Sequence, residues 1–424
     1  MYTSNSEVAS AEPDSNEQGA KLGVFRRTFQ AFRYRDFRLM WTGSFTSTTG
    51  TWMQQVAESW LVLDLTGSAF YLGLVSFLGN LPILLFSLIG GVVADRVDRR
   101  KLLIASQIVQ MSCAFILTGL VLFSLVEVWH ILVLVFISGT GQSFGGPAYQ
   151  ALIPGLVKRE DMPNAIALNS IQFNLARVIG PLLAAAAMAT VGAVLCFALN
   201  GLSFLAVIIT LYLIHATFVP TKTQDSVLEG MKKGFSYMKK KGSLWQLSIL
   251  GFISTFCGIP LLTLLPIFAR DVFHMGATGY ANMMAISGAG AITGALLYAG
   301  MSKNRALGRL TLKVQFAFAV LIAVFAYSRN LALSYVTLFL AGICLITLFA
   351  AVTSLVQMNV VEEMRGRVMS IFMFAFRGGM PLGGLIIGYL AAELNPTVAL
   401  AIGSAILGLT AICFYALSAS VKKL

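Results

Sequence analysis

Twelve times between residues 38 and 419 the chain runs for about 20 residues with almost no charge, the length an α-helix needs to cross the hydrocarbon core of a bilayer. In lipid, backbone N–H and C=O groups must be satisfied within a segment or in a closed barrel, so apolar runs of this length leave helices as the spanning element. The runs lie at roughly 38–64, 69–94, 102–126, 129–156, 164–189 and 192–216 and, after a polar stretch at 217–243, at 244–269, 278–301, 309–328, 331–359, 367–392 and 397–419. With 57% hydrophobic and 11% charged residues over 424 positions, the chain could not cover a soluble core with polar surface.

The charge is distributed unevenly between alternate loops. Of the 30 Lys and Arg residues, Arg270 and Arg329 fall on one face, Arg177 and Arg377 lie inside runs, and all the others fall on the face shared by the two termini. Loops rich in Lys and Arg stay in the cytoplasm, so both termini are expected there. The same asymmetry accounts for a net charge of +12 without a nucleic-acid partner. Cys113, Cys196, Cys257, Cys344 and Cys413 sit in apolar runs with neither metal spacing nor a disulfide framework, and read as packing residues. Residues 1–20 read as a disordered polar tail without a signal peptide. Leu22, Phe25, Phe29 and Phe32 then recur at helical spacing among basic residues, which suits either a short helix on an anionic membrane surface or a plain basic flank of the first run. The expected organisation is a tail and interfacial helix at 1–37, a first bundle at 38–216, a cytoplasmic linker at 217–243, and a second bundle with a short tail at 244–424.

Between the second and third runs stands Gly90-Gly91-Val92-Val93-Ala94-Asp95-Arg96-Val97-Asp98-Arg99-Arg100-Lys101, a tight charged hairpin. Gly91 is expected to let two helices approach, and Asp95 to stand at a helix C-terminus, where the macrodipole disfavours a carboxylate. Such a charge needs a partner, either the basic residues beside it or the positive N-terminal end of another helix. In the second case Gly91, Asp95, Arg96, Arg99 and Arg100 form a gating latch. The two halves also repeat. Ser170, Asn174, Arg177 and Pro181 fall on one stripe of the fifth run, and Ser370, Phe374, Arg377 and Pro381 on the same stripe of the eleventh. Each is preceded by an acidic and basic cluster, at 158–161 and 362–367. Parallel six-helix repeats joined by a basic linker are the layout of a rocking transporter.

The hairpin at 90–101 resembles the signature between the second and third helices of the major facilitator superfamily. Trp52-Met53-Gln54-Gln55-Val56-Ala57, Pro147-Ala148, Arg177-Val178-Ile179-Gly180-Pro181 and Arg365-Gly366-Arg367-Val368 are most similar to the bacterial exporter branch that includes the enterobactin exporter. The resemblance runs from about residue 30 to the C-terminus. It implies an all-α integral membrane protein with twelve transmembrane helices in two six-helix bundles, alternating access, a small-molecule substrate and a bacterial inner membrane. Three positions depart from the pattern. The second-half counterpart of the hairpin, at 294–303, has lost its acidic and paired basic residues; the fourth run carries no arginine; and Gly180-Pro181 continues Leu182-Leu183-Ala184-Ala185 where antiporters of the superfamily carry paired glycines.

Polar residues inside spans point to a pathway, because an uncompensated polar group facing lipid is costly. Ser44, Ser47, Thr48, Thr51, Gln55 and Glu58 fall near one face of the first run, which should line water or protein. Glu58 is the one carboxylate well inside a span. It reads as a proton-coupling site, a static ion pair with Arg177 or Arg377, or a substrate contact. The candidate pathway is Thr51, Gln55, Glu58, Gln142, Asn174, Arg177 and Arg377, with Gln150 and Asn169 as further candidates. An arginine four residues before a proline also has a plain reading, hydrogen-bonding freed carbonyls or snorkelling to an interface.

Gly141-Gln142-Ser143-Phe144-Gly145 matches the nucleophile elbow, but that chemistry needs a strand-to-helix turn and a histidine within reach, and His130, His215 and His274 all lie near span ends. The spacings Gly141/Gly145, Gly290/Gly294 and Gly384/Gly388 read as close helix contacts, and no Walker loop appears. The function expected is secondary active export of small amphipathic or hydrophobic molecules, a siderophore, a drug or similar, with proton antiport as the candidate drive. The alternatives are a membrane sensor or assembly protein that no longer transports, or a lysophospholipid transporter of the same fold. Neither enzyme activity nor a cofactor or metal is expected. The partners are a small-molecule substrate, the lipid bilayer and, if Glu58 titrates, protons, with the chain acting as a monomer.

Overall fold

The computed structural model describes residues 29–214, 227–301, 307–418 and 421, apart from the side chains of Leu88, Val92, Asp95 and residues 227–231. Among the described residues twelve long helical elements follow one another: α1 (Arg35–Thr66), α2 (Ala69–Arg96), α3 (Arg99–Leu122), α4 (Val128–Leu152), α5 (Met162–Thr190), α6 (Ala193–Leu213), α7 (Ser243–Val272), α8 (Ala277–Gly300), α9 (Leu307–Tyr327), α10 (Leu331–Met358), α11 (Arg365–Glu393) and α12 (Pro396–Leu417). Eleven of them are long and apolar enough to cross a membrane, and the exception is α1. At 32 residues α1 has ample length; its row of Ser, Thr and Gln lowers the hydropathy because that row does not face lipid. Element α7 is broken: its helix restarts at Pro260 and closes with one turn of π-helix, Phe268–Val272.

The helices pair within two groups of six. α1 packs on α5 and α6, α2 on α4, and α3 on α4 and α6; α7 packs on α11 and α12, α8 on α10, and α9 on α10 and α12. Each pairing in the first group maps onto one in the second by adding six to both helix numbers. Two seams join the groups, α2 against α11 and α5 against α8, and these exchange under the same mapping. That is a pseudo-two-fold arrangement of two bundles. Small residues let the backbones meet. A Cβ on Gly180 would stand 2.8 Å from the Thr49 carbonyl oxygen where α1 crosses α5, and one on Gly383 would collide with the Phe256 carbonyl where α7 crosses α11.

The charged hairpin departs from expectation at its glycines. A Cβ on Gly91 would meet nothing within 4 Å, whereas one on Gly90 would collide with the Ser143 carbonyl of α4. Gly90 is thus the close-approach residue, because the phase of α2 turns it toward α4 and turns Gly91 toward open space. Asp98 accepts from the backbone N–H of Arg100 at 2.9 Å and of Lys101 at 3.3 Å, capping α3. Arg99 donates to the Ala151 carbonyl at 3.1 Å and Arg100 to the Ile214 carbonyl at 3.4 Å, so both neutralise C-terminal helix ends of their own bundle. Arg96 is exposed, and Asp95 stands on the last turn of α2 with its side chain outside the described residues.

Leu22 and Phe25 lie outside the described residues, and the segment from Gln30 to Tyr34 is docked on the first bundle. Gln30–Arg33 forms a single 3-10 turn. Ala31 N–H donates to Asn164 Oδ1 at 2.8 Å, while Arg33 and the Tyr34 hydroxyl reach Asp161 Oδ2 at 2.7 and 2.6 Å. Phe32 packs edge-on against Trp41. The second bundle has a counterpart: the linker helix Val227–Lys240 packs on α11, and Lys241 Nζ donates to the Asn359 carbonyl at 2.7 Å.

Candidate substrate cavity

A cavity of about 1070 Å³ lies between the bundles. Its wall at the basic face is formed by Gly91, Gln150, Asn169 and Ser170 of the first bundle and by Gln357, Met369 and Ser370 of the second. Toward the middle of the membrane it is lined by Thr51, Trp52, Gln55, Leu84, Asn174 and Arg377. Trp52 stands 14 residues from the far end of α1 and Arg377 16 from that of α11, so at 1.5 Å per residue both lie about 21–24 Å from the far face, near the midplane.

Beyond that depth the bundles are packed together. Gly73 of α2 lies against Gly384 and Gly388 of α11, so closely that a Cβ on Gly73 would collide with the Gly384 carbonyl oxygen. Phe70 and Tyr389 meet edge to face along the same seam. Trp60 of α1 stacks on Tyr280 of α8 with ring centroids 6.4 Å apart. At the far surface Arg270, on the π-turn of α7, donates to the carbonyls of Leu63 at 3.2 Å and Gly67 at 3.4 Å, the C-terminal end of α1. The cavity is therefore open to the basic face and blind toward the other.

Most of the residues singled out from the sequence meet here. Ser44, Ser47, Thr48, Thr51 and Gln55 line the cavity along one stripe of α1, and Gln142, Gln150, Asn169, Asn174 and Arg377 line it from α4, α5 and α11. Two residues do not. Glu58, one turn further along α1, lies beyond the cavity, with Gln54 Nε2 at 3.4 Å from its Oε2 and Gln54 Oε1 accepting from Asn200 at 2.7 Å. Among the described residues it forms no ion pair with Arg177 or Arg377. Arg177 is buried behind the wall with its guanidinium 5.6 Å from the ring centroid of Trp52. The two repeat arginines thus occupy different surroundings: the bulk of Trp52 covers Arg177, whereas Arg377 faces the open cavity.

The cavity also contains residues that the sequence pattern does not single out. Gln107 and Gln110 of α3, Gln172 of α5 and Gln357 of α10 line it. Gln172 donates to Thr48 Oγ1 at 3.0 Å, tying α5 to α1. Amides inside apolar runs are the signal that could have found them, since each costs free energy unless it faces protein or water.

Residues 26–423 match the model of a family described as transmembrane secretion effectors. The chain belongs to that family. It is a membrane transporter of the major facilitator type, not an enzyme. Among relatives of this chain, the staphyloferrin A transporter of Staphylococcus aureus is 25% identical, over 84% of this chain and 89% of its own length. Macrolide efflux protein A of Streptococcus pyogenes is 24% identical with the same coverage. The enterobactin exporter EntS of Citrobacter koseri is 25% identical, over 82% of this chain and 81% of its own length. The nucleoside transporter NupG, solved as a D323A mutant, superposes with a TM-score of 0.75 at 15% identity, covering 91% of this chain and all of its own, and shares the fold.

Proposed function

We propose that this protein carries small amphipathic or hydrophobic molecules out of a bacterial cytoplasm across the inner membrane by alternating access, and that the arrangement described above is its inward-facing state. The observation that carries this reading is the cavity between two pseudo-symmetric bundles, open at the basic face and ending at a packed far half. On this reading the basic face and both termini are cytoplasmic, which the distribution of Lys and Arg supports. Relatives named for staphyloferrin A, enterobactin and macrolides support a small-molecule cargo, and those named as an enterobactin exporter and a macrolide efflux protein support the outward direction. The chain works as a monomer, each copy holding a complete pathway.

Transport then requires the far contacts to part while the basic face closes, the bundles pivoting about the α2–α11 and α5–α8 seams. Asp95 docks on the cytoplasmic end of α11 and nearby basic groups in that second state and acts as the inner latch. Glu58 couples the cycle to protons. It is a carboxylate within a span, held by an amide and by no cation among the described residues, on the helix that carries the cavity stripe and beside the Trp60–Tyr280 contact between bundles. A 100 mV potential supplies about 2.3 kcal/mol per charge moved, enough to bias two states a few kcal/mol apart.

The test is access from both sides. A cysteine placed at Thr51, on the cavity stripe, is expected to react with membrane-impermeant reagent from the cytoplasmic side in the resting protein, and from the outside when a proton gradient or substrate is supplied. Labelling confined to one side under every condition would leave a sensor or scaffold and remove the transport reading.

A further inference from the structure

We propose that the cavity selects amphipathic molecules whose polar part is an organic anion, a carboxylate or its equivalent, and that Arg377 is the group that reads that charge. The inference rests on the transport reading above and narrows its substrate.

Among the described residues that line the cavity, Arg377 is the one charged side chain, and neither Asp nor Glu is present. Arg377 makes no ion pair and no hydrogen bond among the described residues, although it stands near the membrane midplane. Arg177 adds a second positive charge behind Trp52. A desolvated cation–π contact is worth about 2 kcal/mol or more, against the several kcal/mol that burying an unpaired ion costs, and it leaves the charge in place, so the positive potential of the wall survives. Glu58 does not offset it, since it lies outside the cavity and is held by Gln54.

While the cavity is open, water solvates the Arg377 guanidinium. Alternating access requires the cavity to close at the basic face, and closure expels that water. An unpaired guanidinium in the closed cavity then carries a desolvation penalty that an anionic cargo removes by pairing with it, bidentately where the anion is a carboxylate. Closure is therefore easiest with an anion aboard, harder when empty, and hardest with a cation.

Two further features define the rest of the molecule. Gln107 is 7% exposed, lines the cavity, and its Oε1 has no hydrogen-bond partner. That oxygen is itself shielded, and a turn of the Gln107 side chain into the cavity would let it accept from a hydroxyl or amide N–H on the cargo. Met369, Met373 and Phe374 lie on the same stretch of α11 as Arg377 and line the cavity, offering an apolar wall to the cargo's body.

The test measures thermal unfolding of the purified full chain in detergent with citrate, 2,3-dihydroxybenzoate, the uncharged triethyl citrate, and the cationic macrolide erythromycin. At least one anion is expected to raise Tm, with triethyl citrate and erythromycin without effect. Arg377→Gln should weaken the anion's apparent affinity about tenfold or more, the worth of one charge-assisted pair, while Arg377→Lys, which keeps the charge but not the bidentate fork, retains part of it. Unliganded Tm measured for both variants separates loss of binding from loss of fold. Equal or greater stabilisation by triethyl citrate or erythromycin, an anion response unchanged in Arg377→Gln, or no anion response at millimolar concentration would each overturn the inference. Two-sided labelling at Thr51 is scored apart: alternation without anion preference keeps the transporter and discards the selectivity assigned to Arg377.

Discussion

Arg270 of the second bundle donates to the carbonyl oxygen of Leu63 in the first at 3.2 Å, closing the far surface with a cation on the negative end of a helix dipole. The same guanidinium pairs with Asp271 at 2.6 Å, which fixes its direction. Arg270→Ala should loosen the closed far half by about 1 kcal/mol, discounted because the side chain is partly exposed, and shift the two-state ratio roughly fivefold. The readout is faster labelling from the outside of a cysteine at Thr51. An unchanged rate would show that the helix seams alone hold this end.

Gly73 and Gly384 face each other across the α2–α11 seam but are not equivalent. A Cβ on Gly73 runs into backbone, whereas one on Gly384 meets the Ser76 side chain at 3.1 Å, which can move. Gly73→Ala should disfavour the inward-facing state and depress export strongly, while Gly384→Ala leaves most export in place. Export rates in cells, normalised to the amount of protein in the membrane, decide between them.

The adjacent glycines of the hairpin give a stability prediction. Gly90→Ala overpacks the α2–α4 crossing and should cost about 1–3 kcal/mol, visible as a lowered Tm in detergent. Gly91→Ala, with open space around it inside a helix, should leave Tm unchanged or raise it slightly.

Glu58→Gln keeps the shape and the reach to Gln54 but cannot exchange a proton. Substrate binding should remain measurable, and the response of export to an imposed pH gradient should vanish. A variant whose export still follows the gradient would move the proton site elsewhere.

Asp98 and Asp95 separate structure from gating within one loop. Removing the cap in Asp98→Ala should cost about 1 kcal/mol of stability. Asp95→Asn should lower export with Tm unaltered, and full export in that variant would take Asp95 out of the closing contact.

Much of this fold is legible without any coordinate, because lipid imposes a length and a polarity that the sequence displays directly. The polar stripe of α1 is the clearest case: helical spacing directs Thr51 and Gln55 toward a pathway, and both line the cavity. The same stripe makes α1 the least apolar span. Where two residues are equivalent by pattern, the pattern cannot choose. Gly90 and Gly91 differ by about 100° of helical phase relative to α4. Arg177 and Arg377 match in the repeat, and they part because the indole of Trp52 stands beside one of them. Arg270 carries no local signal. In the sequence it is one more loop charge, and its contact with Leu63 joins segments 207 positions apart.

The turn at Ala31–Tyr34 is fastened to Asn164 and Asp161, and Lys241 is fastened to Asn359. In each half, the stretch of chain entering the first helix is thereby moored to the basic-face end of that half's own fourth or fifth. Neither bundle has slack at its entrance with which to absorb a small displacement. A shift of an ångström or two at the cavity floor must then reappear at the opposite surface as a tilt of the entire six-helix body.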